Sequence, residues 1–201
     1  DYPRAYKLID ELQPQAVIFS DGGPGCRWVG NENGFAGATN WSFLRAGEVY
    51  PGYPKYRELQ YGHADGNQWV AAECDVSIRP GWFYHPEEDD RVKTADALTD
   101  LYYRSVGHNA TLLLNFPVDR DGLIHPTDSA NAVNFHQNVQ KQLAHNLLAG
   151  LSPKASDERG KRFSTTAMTD NDYNTYWATA DGTNTATVTY QFRQPQRMNR
   201  M

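Results

Sequence analysis

Several features are scarce in this chain of 201 residues, and each scarcity narrows the possible functions. The two cysteines, Cys26 and Cys74, are too few for a cysteine metal site or a disulfide framework, and we interpret both as buried thiols. No apolar run approaches the ~18 residues that a membrane-spanning helix needs. The 19 basic residues form no block and are outnumbered by 24 acidic ones, which argues against nucleic acid as a partner.

An initiating methionine and a signal peptide are also missing from the sequence. The chain starts abruptly at Asp1, and residues 190–201 read as a strand, a turn and the beginning of another strand. We therefore expect an internal excerpt of a longer protein, in which case the missing signal says nothing about compartment. Aromatic residues, in contrast, make up 12% of the chain, a composition typical of an ordered globular protein.

The apolar pattern predicts alternating helices and strands up to residue 151. Helical spacing of apolar residues predicts helices at residues 3–12, 94–106 and 128–147. Short apolar runs predict strands at residues 16–19, 70–78 and 111–116, and residues 26–66 read as a long irregular loop. Such an order favours an α/β fold with parallel strands, and its length is roughly half that of a (β/α)8 TIM barrel.

The residue pattern of the sequence changes at residues 151–153, where Ser152 and Pro153 mark a predicted domain boundary. Short β-prone runs follow, the strongest being TATVTYQF at residues 185–192. Only about half of the ~100 residues of a typical β-sandwich remain beyond this boundary. We therefore expect residues 152–201 to form the start of an incomplete all-β sandwich.

The run at residues 73–85 (ECDVSIRPGWFYH) begins as a strand and ends as a polar and aromatic loop. Polar residues alternate with apolar ones up to residue 78, and Pro80 and Gly81 then break the strand. A strand that delivers carboxylates, an arginine and a tryptophan to its C-terminal end is how a (β/α) barrel builds an active site. A tryptophan among polar groups suits a sugar. The alternative is a strand end with a buried aromatic cluster.

A second candidate site lies in the segment RWVGNENG at residues 27–34. Glu32 stands there between two asparagines, and Gly30 and Gly34 allow close approach of the backbone. A partly desolvated glutamate keeps its proton to higher pH and can protonate a leaving group. Glycoside hydrolysis needs two carboxyl groups, one as acid and one as nucleophile or base. The alternative is a solvated surface charge.

Four segments, in matching order, resemble the α-L-fucosidases of glycoside hydrolase family 29. They are residues 13–23 (QPQAVIFSDGG), 27–34, 72–85 (AECDVSIRPGWFYH) and 98–124 (LTDLYYRSVGHNATLLLNFPVDRDGLI). The resemblance covers about residues 1–150 and is closest to the subgroup that favours α-1,3/1,4-linked fucose on branched glycans. It implies a retaining mechanism on a (β/α) barrel, in which Glu32 matches the family's acid/base.

The same resemblance implies an aspartate nucleophile, which belongs to a segment upstream of Asp1. Asp21 also follows a strand, but we interpret it as a turn former and do not assign it that role. In the resemblance, Trp82 matches the aromatic residue that lines the fucose pocket. Polar groups at the strand ends, Arg27, Glu73 and Arg79, could bind the sugar hydroxyls or form structural ion pairs. His85 could contact the sugar or cap the loop.

The tail from residue 156 onward resembles a discoidin-like (factor 5/8 type C) β-sandwich, a module that often follows fucosidase barrels. In that family a structural Ca²⁺ lies in an Asp-rich turn, and the matching positions here are Asp170, Asp172 and Thr175. The alternative is an Asx turn without an ion. The resemblance implies no cofactor for catalysis.

The partners implied by the resemblance are fucosylated oligosaccharides or glycoconjugates, without nucleic acid. It further implies a secreted or periplasmic location. The alternative functions are a catalytically inactive, lectin-like fucose-binding protein and a different retaining or inverting glycosidase on the same fold.

Overall fold

The computed structural model describes residues 1–198 of the chain. Helices α1, α2 and α3 span Tyr2–Leu12, Ala95–Ser105 and Pro126–Gln142. Strands β1 to β8 span Phe19–Ser20, Cys26–Trp28, Phe43–Leu44, Gln68–Trp69, Ala71–Ser77, Ala110–Asn115, Lys154–Ala155 and Val188–Thr189. No helix within residues 1–198 is long and apolar enough to cross a membrane.

The main sheet has four parallel strands in the order β1-β2-β5-β6. Its longest pairing joins β5 to β6, with Ala72 opposite Ala110 at one end and Ser77 opposite Asn115 at the other. Because the strands are parallel, their carboxyl ends lie along one edge of the sheet. The predicted α/β class with parallel strands is therefore confirmed. The short pairs β3–β4 and β7–β8 are antiparallel.

One face of the main sheet packs against apolar side chains, and the other carries polar groups. Along β5, Ala72, Cys74 and Val76 are buried, whereas Glu73 and Asp75 point the other way and are only half-buried. This is the period-two pattern predicted for residues 73–78. The larger apolar cluster draws residues from β5, the following loop and α2; its buried members are Val76, Ile78, Val92, Leu98 and Leu101.

The helices largely follow the prediction, with one difference at α3. Asp1 caps α1 and Thr94 caps α2, each accepting a hydrogen bond from a first-turn N–H group. Helix α3, however, begins at Pro126, so Asp128 lies inside its first turn instead of capping it. The helix also ends at Gln142, short of residue 147. Proline favours the first turn because its missing N–H has no intrahelical acceptor there.

The prediction of one long irregular loop at residues 26–66 was wrong at its start and also within it, where Phe43–Leu44 forms β3. Cys26–Trp28 forms β2, which pairs with both β1 and β5. Three residues with a central arginine give no apolar run, so the pattern could not reveal this strand. The first predicted strand is also displaced, because pairing begins only at Phe19.

The contacts divide the chain into two compact units, Asp1–Val139 and Gln140–Met201. In the described part of the second unit, the pair β7–β8 is the only ladder between named strands. The β-prone run at residues 185–192 contributes only Val188–Thr189 to it. The predicted boundary at residues 151–152, the barrel and the sandwich stay predictions.

Candidate active site at the strand ends

The structure brings two of the predicted site residues into direct contact. Trp82 follows β5, Glu32 follows β2, and the indole Nε1–H of Trp82 donates a hydrogen bond of 2.8 Å to Oε2 of Glu32. The two residues are separated by 50 positions in sequence, and the parallel pairing of β2 with β5 makes their loops neighbours. The aromatic and acidic candidates therefore belong to one site.

The loop that carries Glu32 is fixed by its glycines and asparagines. Gly30 and Gly34 both have φ of +78°, a left-handed conformation that other residues rarely adopt. A Cβ at Gly34 would also lie 2.7 Å from Cγ1 of Val76 in the core. Asn31 closes the turn, because its Oδ1 accepts from Asn33 N at 3.0 Å and its Nδ2 donates to Phe35 O at 3.1 Å.

Glu32 itself is exposed, which differs from the expected partial desolvation. Two turn residues flank Glu32. Among the described residues, Trp82 is the one hydrogen-bond donor to its carboxylate. An exposed carboxylate with one donor remains accessible to a ligand. Such a group can exchange a proton with a bound molecule or with water.

A second pair of an indole and a carboxylate lies beside the first. Trp28, the last residue of β2, donates from Nε1 to Oδ1 of Asp75 on β5 at 2.8 Å. The Trp28 ring also stacks on Tyr56, with centroids 6.2 Å apart and planes inclined by 23°. Burial raises the pKa of Asp75; the Trp28 hydrogen bond opposes this rise, and the negative charge of Glu32 adds to it.

Glu73 lies on the same face of β5 as Asp75, nearer the start of the strand. Its Oε2 accepts a weak hydrogen bond of 3.7 Å from Sγ of Cys26. Burial, followed by the charge and hydrogen bond of Glu73, raises the pKa of the Cys26 thiol to about 11. Burial also raises the pKa of Cys74 to about 12. Both cysteines are therefore protonated thiols near neutral pH.

Arg27 does not stand at the strand end ready to bind hydroxyls, contrary to the sequence-based expectation. Its side chain is fully buried, at 0% exposure, and donates to the carbonyl oxygens of Leu59 and Val70 at 2.9 and 2.6 Å. Further bonds reach Asn40 and the carbonyl of Trp41. Burial lowers the pKa of the guanidinium to about 10. Arg27 thus organises the long loop between β2 and β5.

Arg79 is likewise buried and committed to internal partners. It forms a bidentate ion pair with Asp128, at 2.8 Å from Nε to Oδ2 and 2.9 Å from Nη2 to Oδ1. Its Nη1 lies 2.8 Å from Oδ1 of Asp89. The hydrogen bond with Asp128 is the main cause that raises the pKa of Arg79. The structure therefore shows the alternative that the sequence left open, a structural ion pair, and a sugar contact for Arg79 stays a prediction.

His85 is exposed and lies away from the contacts that join Trp82 to Glu32. Its Nδ1 is 3.9 Å from Oε1 of Glu87, and 55% of its side chain is accessible. Its main-chain oxygen accepts a bond of 3.3 Å from Arg79 Nη1. The structure therefore records a structural contact for the His85 backbone, and a sugar contact for its ring stays a prediction.

The predicted calcium ligands lie in a hydrogen-bonded turn of the second unit. Oδ2 of Asp170 accepts from Oγ1 of Thr175 at 2.7 Å, and its Oδ1 accepts from Asp172 N at 2.9 Å. The Asp172 carboxylate accepts from Asn174. Oxygens of this kind suit Ca²⁺, which takes 6–8 of them, but here they are satisfied as in an Asx turn. Within residues 1–198, no group of three or more His, Cys, Asp and Glu side chains could hold a metal ion.

Three residues of the site were not among the predicted site residues: Trp28, Asp75 and Asn115. The alternation in residues 73–78 already placed Asp75 on the face of Glu73, so that position was available from the pattern. Trp28 was hidden because β2 was not recognised. Asn115 stands at the end of the predicted third strand, but its amide contacts depend on pairing with β5.

Comparisons with known proteins connect this chain to one enzyme family. The chain is 38% identical over 196 residues to alpha-L-fucosidase 1 of Arabidopsis thaliana, which covers 94% of this chain and 37% of that protein. A crystal structure from Bacteroides thetaiotaomicron, provisionally named as an α-L-fucosidase, is 43% identical with a TM-score of 0.85. That match covers 96% of this chain and 43% of the bacterial one. No protein-family profile matches the chain.

A third relative has a sugar bound. The crystal structure of a Ruminococcus gnavus GH29 fucosidase in complex with fucose is 31% identical, with a TM-score of 0.78. The match covers 94% of this chain and 40% of that protein. The chain thus spans less than half the length of each of these three relatives.

Proposed function

We propose that this chain is a segment of a family 29 α-L-fucosidase, the family that its relatives in sequence and fold support. The reaction is hydrolysis of terminal α-L-fucosyl linkages, and the substrates are fucosylated oligosaccharides or glycoconjugates. Because the segment spans under half of these relatives, the activity belongs to the longer protein that contains it.

The observation that carries this proposal is the contact between Trp82 and Glu32. A sugar pocket needs an apolar surface beside the reacting carboxyl group, and the two loops supply both at one strand edge. The indole ring offers its face to the apolar side of a sugar, while its N–H holds Glu32 in place. Among the described residues, neither side chain is committed to a buried partner, unlike Arg27, which donates to neutral oxygens, and Arg79, which forms an ion pair.

In the proposed retaining mechanism, Glu32 acts first as an acid and then as a base. It donates its proton to the glycosidic oxygen as that bond breaks and an aspartate nucleophile bonds to the anomeric carbon. Glu32 then removes a proton from water, whose oxygen displaces the aspartate and releases fucose. The nucleophile comes from a segment upstream of Asp1, about 5–5.5 Å from Glu32 in a retaining geometry.

Several finer assignments belong to the same proposal. The linkage is α-1,3 or α-1,4, residues 1–151 are the C-terminal part of a (β/α)8 barrel, and residues 152–201 begin a discoidin-like sandwich. The protein is secreted or periplasmic. Catalysis uses no cofactor, and a structural Ca²⁺ would take oxygens of Asp170, Asp172 and Thr175 in place of the hydrogen bonds of this turn. An increase in melting temperature on adding calcium after chelation, absent in Asp170→Ala, would support that site.

The test uses the longer protein and the variant Glu32→Ala. Without the acid, turnover of a natural α-1,3/1,4-fucosylated oligosaccharide should fall by about 10²–10⁴-fold. A fucoside with an acidic leaving group needs little protonation and should lose far less. Azide, which needs no general base to attack the fucosyl intermediate, should restore part of the activity on that fucoside and yield fucosyl azide.

Glu11→Ala is the matched control, because Glu11 is an exposed helical glutamate whose nearest recorded partner is Lys7. It should leave both activities unchanged. Equal activities for Glu32→Ala and the unmodified protein would overturn the acid/base assignment. Fucose binding without any hydrolysis would favour the lectin-like alternative and overturn the enzyme proposal.

A further inference from the structure

The main chain of Trp82 is held from a neighbouring strand by an amide side chain. Nδ2 of Asn115 donates to the carbonyl oxygen of Trp82 at 3.1 Å, across 33 residues of sequence. The same Nδ2 donates to Oγ of Ser77 at 3.1 Å. An amide nitrogen has two hydrogens, so both bonds can form together.

Asn115 occupies the position where this bridge is geometrically fixed. It is the last residue of β6 and lies opposite Ser77 at the end of β5. Its own carbonyl oxygen accepts from Ile78 N at 3.0 Å, which continues the ladder by one step. The backbone of Asn115 is therefore anchored on both sides of the point where β5 ends, and its amide group reaches the loop beyond.

Further contacts hold the remainder of this loop. Oγ of Ser77 accepts from Arg79 N at 3.3 Å, and Nη1 of Arg79 donates to the carbonyl oxygen of His85 at 3.3 Å. The Arg79 guanidinium also lies 4.6 Å from the centroid of the Tyr84 ring. These contacts fix residues on either side of Trp82, whereas Asn115 is the residue that binds the main chain of Trp82 itself.

We propose that Asn115 is a positioning residue for the acid/base group: its amide fixes the Trp82 main chain so that the indole N–H reaches Glu32. The catalytic consequence rests on the proposed function, whereas the structural link between Asn115, Trp82 and Glu32 does not. When Asn115 loses its amide, the Trp82 carbonyl can turn to water, and the indole loses its fixed distance to the carboxylate.

The first experiment measures this link by NMR, independently of activity. The longer protein is labelled with ¹⁵N-tryptophan, and the Trp82 indole N–H signal is identified by its loss in Trp82→Phe. Glu32→Gln should shift this signal, because it replaces the charged acceptor of the hydrogen bond. Asn115→Ala should shift or broaden the same signal and leave that of Trp177 unchanged, since Trp177 donates to Asp157 in the second unit.

The second experiment separates positioning from general loss of structure. Asn115→Ala should lower kcat on a natural fucoside by about 10–100-fold, because small displacements of catalytic groups have large effects on rate. The KM of Asn115→Ala for the natural fucoside should change less than twofold. Its turnover of a fucoside with an acidic leaving group should also change less than twofold. A merely structural defect would lower both activities together.

The control is Asn134→Ala, which removes an exposed asparagine of α3 and should change neither the spectrum nor the rates. If Asn115→Ala does not fold, Asn115→Asp preserves the side-chain shape while removing the amide donors. An unchanged Trp82 signal in the folded variant would overturn the positioning role. If no fucoside is hydrolysed by the unmodified protein, the proposed function fails, and the NMR result still decides the structural link.

Discussion

The loops that carry Glu32 and Trp82 are each organised by a buried arginine, but the two arginines are satisfied differently. Arg27 donates to neutral oxygens that belong to the long loop and to Val70, the residue before β5. Arg79 is paired with two carboxylates, one of them fully buried. Carbonyl oxygens can turn to water when a loop moves, whereas a buried carboxylate left alone is strongly destabilising.

The two arginines also differ in the length of the loop that each one holds. The Arg27 carbonyl contacts tie separate points of a long segment to one strand, and burial of the guanidinium lowers its pKa. The Arg79 ion pair links a short segment to the first turn of α3. Within residues 1–198, neither arginine contacts Glu32 or the Trp82 side chain directly, so each arginine acts on the site through its loop.

The largest effect is expected for Arg79→Met. The variant leaves Asp128 buried without its bidentate partner, so the free energy of unfolding should fall by about 3–5 kcal/mol. Urea denaturation at pH 7 measures this loss. Arg120→Met, an exposed site, is the control and should stay within about 0.5 kcal/mol. A loss below 1 kcal/mol for Arg79→Met would mean that the ion pair does not hold this loop.

A smaller loss is expected for Arg27→Met. Several carbonyl oxygens lose a donor, but no charged group is left buried alone, so the free energy of unfolding should fall by about 1–3 kcal/mol. The same urea measurement, with Arg57→Met as an exposed control, tests this value. A loss as large as that of Arg79→Met would remove the distinction between the two loops.

The smallest effect concerns the thiol beside Arg27. Because the pKa of Cys26 is raised to about 11, its thiolate fraction at pH 8 is roughly 100-fold below that of a thiol with the reference pKa of 9. Alkylation by iodoacetamide should be slow at pH 8 and should accelerate as the pH rises towards 11. Glu73→Gln removes one cause of the raised pKa and should speed the reaction of Cys26.

Cys74 provides a comparison within the same protein, since it is fully buried beside Glu73 in sequence and, within residues 1–198, its thiol donates no hydrogen bond to that carboxylate. Mass spectrometry of the two cysteine peptides separates their rates. Rapid alkylation of Cys26 at pH 8 in the unmodified protein would contradict the protonated thiol.

Much of the fold could be predicted because it depends on local patterns. The alternation in residues 73–78 identified β5 and its polar face, and the helical spacing identified α1 and α2. Strand β2 could not be found in this way. A three-residue strand is defined by its neighbours on both sides, and those neighbours are distant in sequence.

The site also has a part that the sequence predicted and a part that it did not. Glu32 and Trp82 were singled out from their sequence segments, and the resemblance to fucosidases gave them roles that stay proposals. The sequence could not distinguish an arginine that binds a ligand from one that is buried. A ligand-binding arginine and a buried arginine can each belong to a strand or follow one. Only the positions of the carboxylates and carbonyl oxygens around the arginine distinguish the two.

The sequence by itself determined strands β5 and β6 of the parallel sheet and which residue types stand at their carboxyl ends, because side-chain alternation and turn chemistry act over a few residues. Only the tertiary structure decided that Trp82 donates to Glu32, that Asn115 holds Trp82, and that Arg27 and Arg79 serve the loops. Hydrogen bonds act over about 3 Å, and only folding brings groups tens of residues apart within that distance.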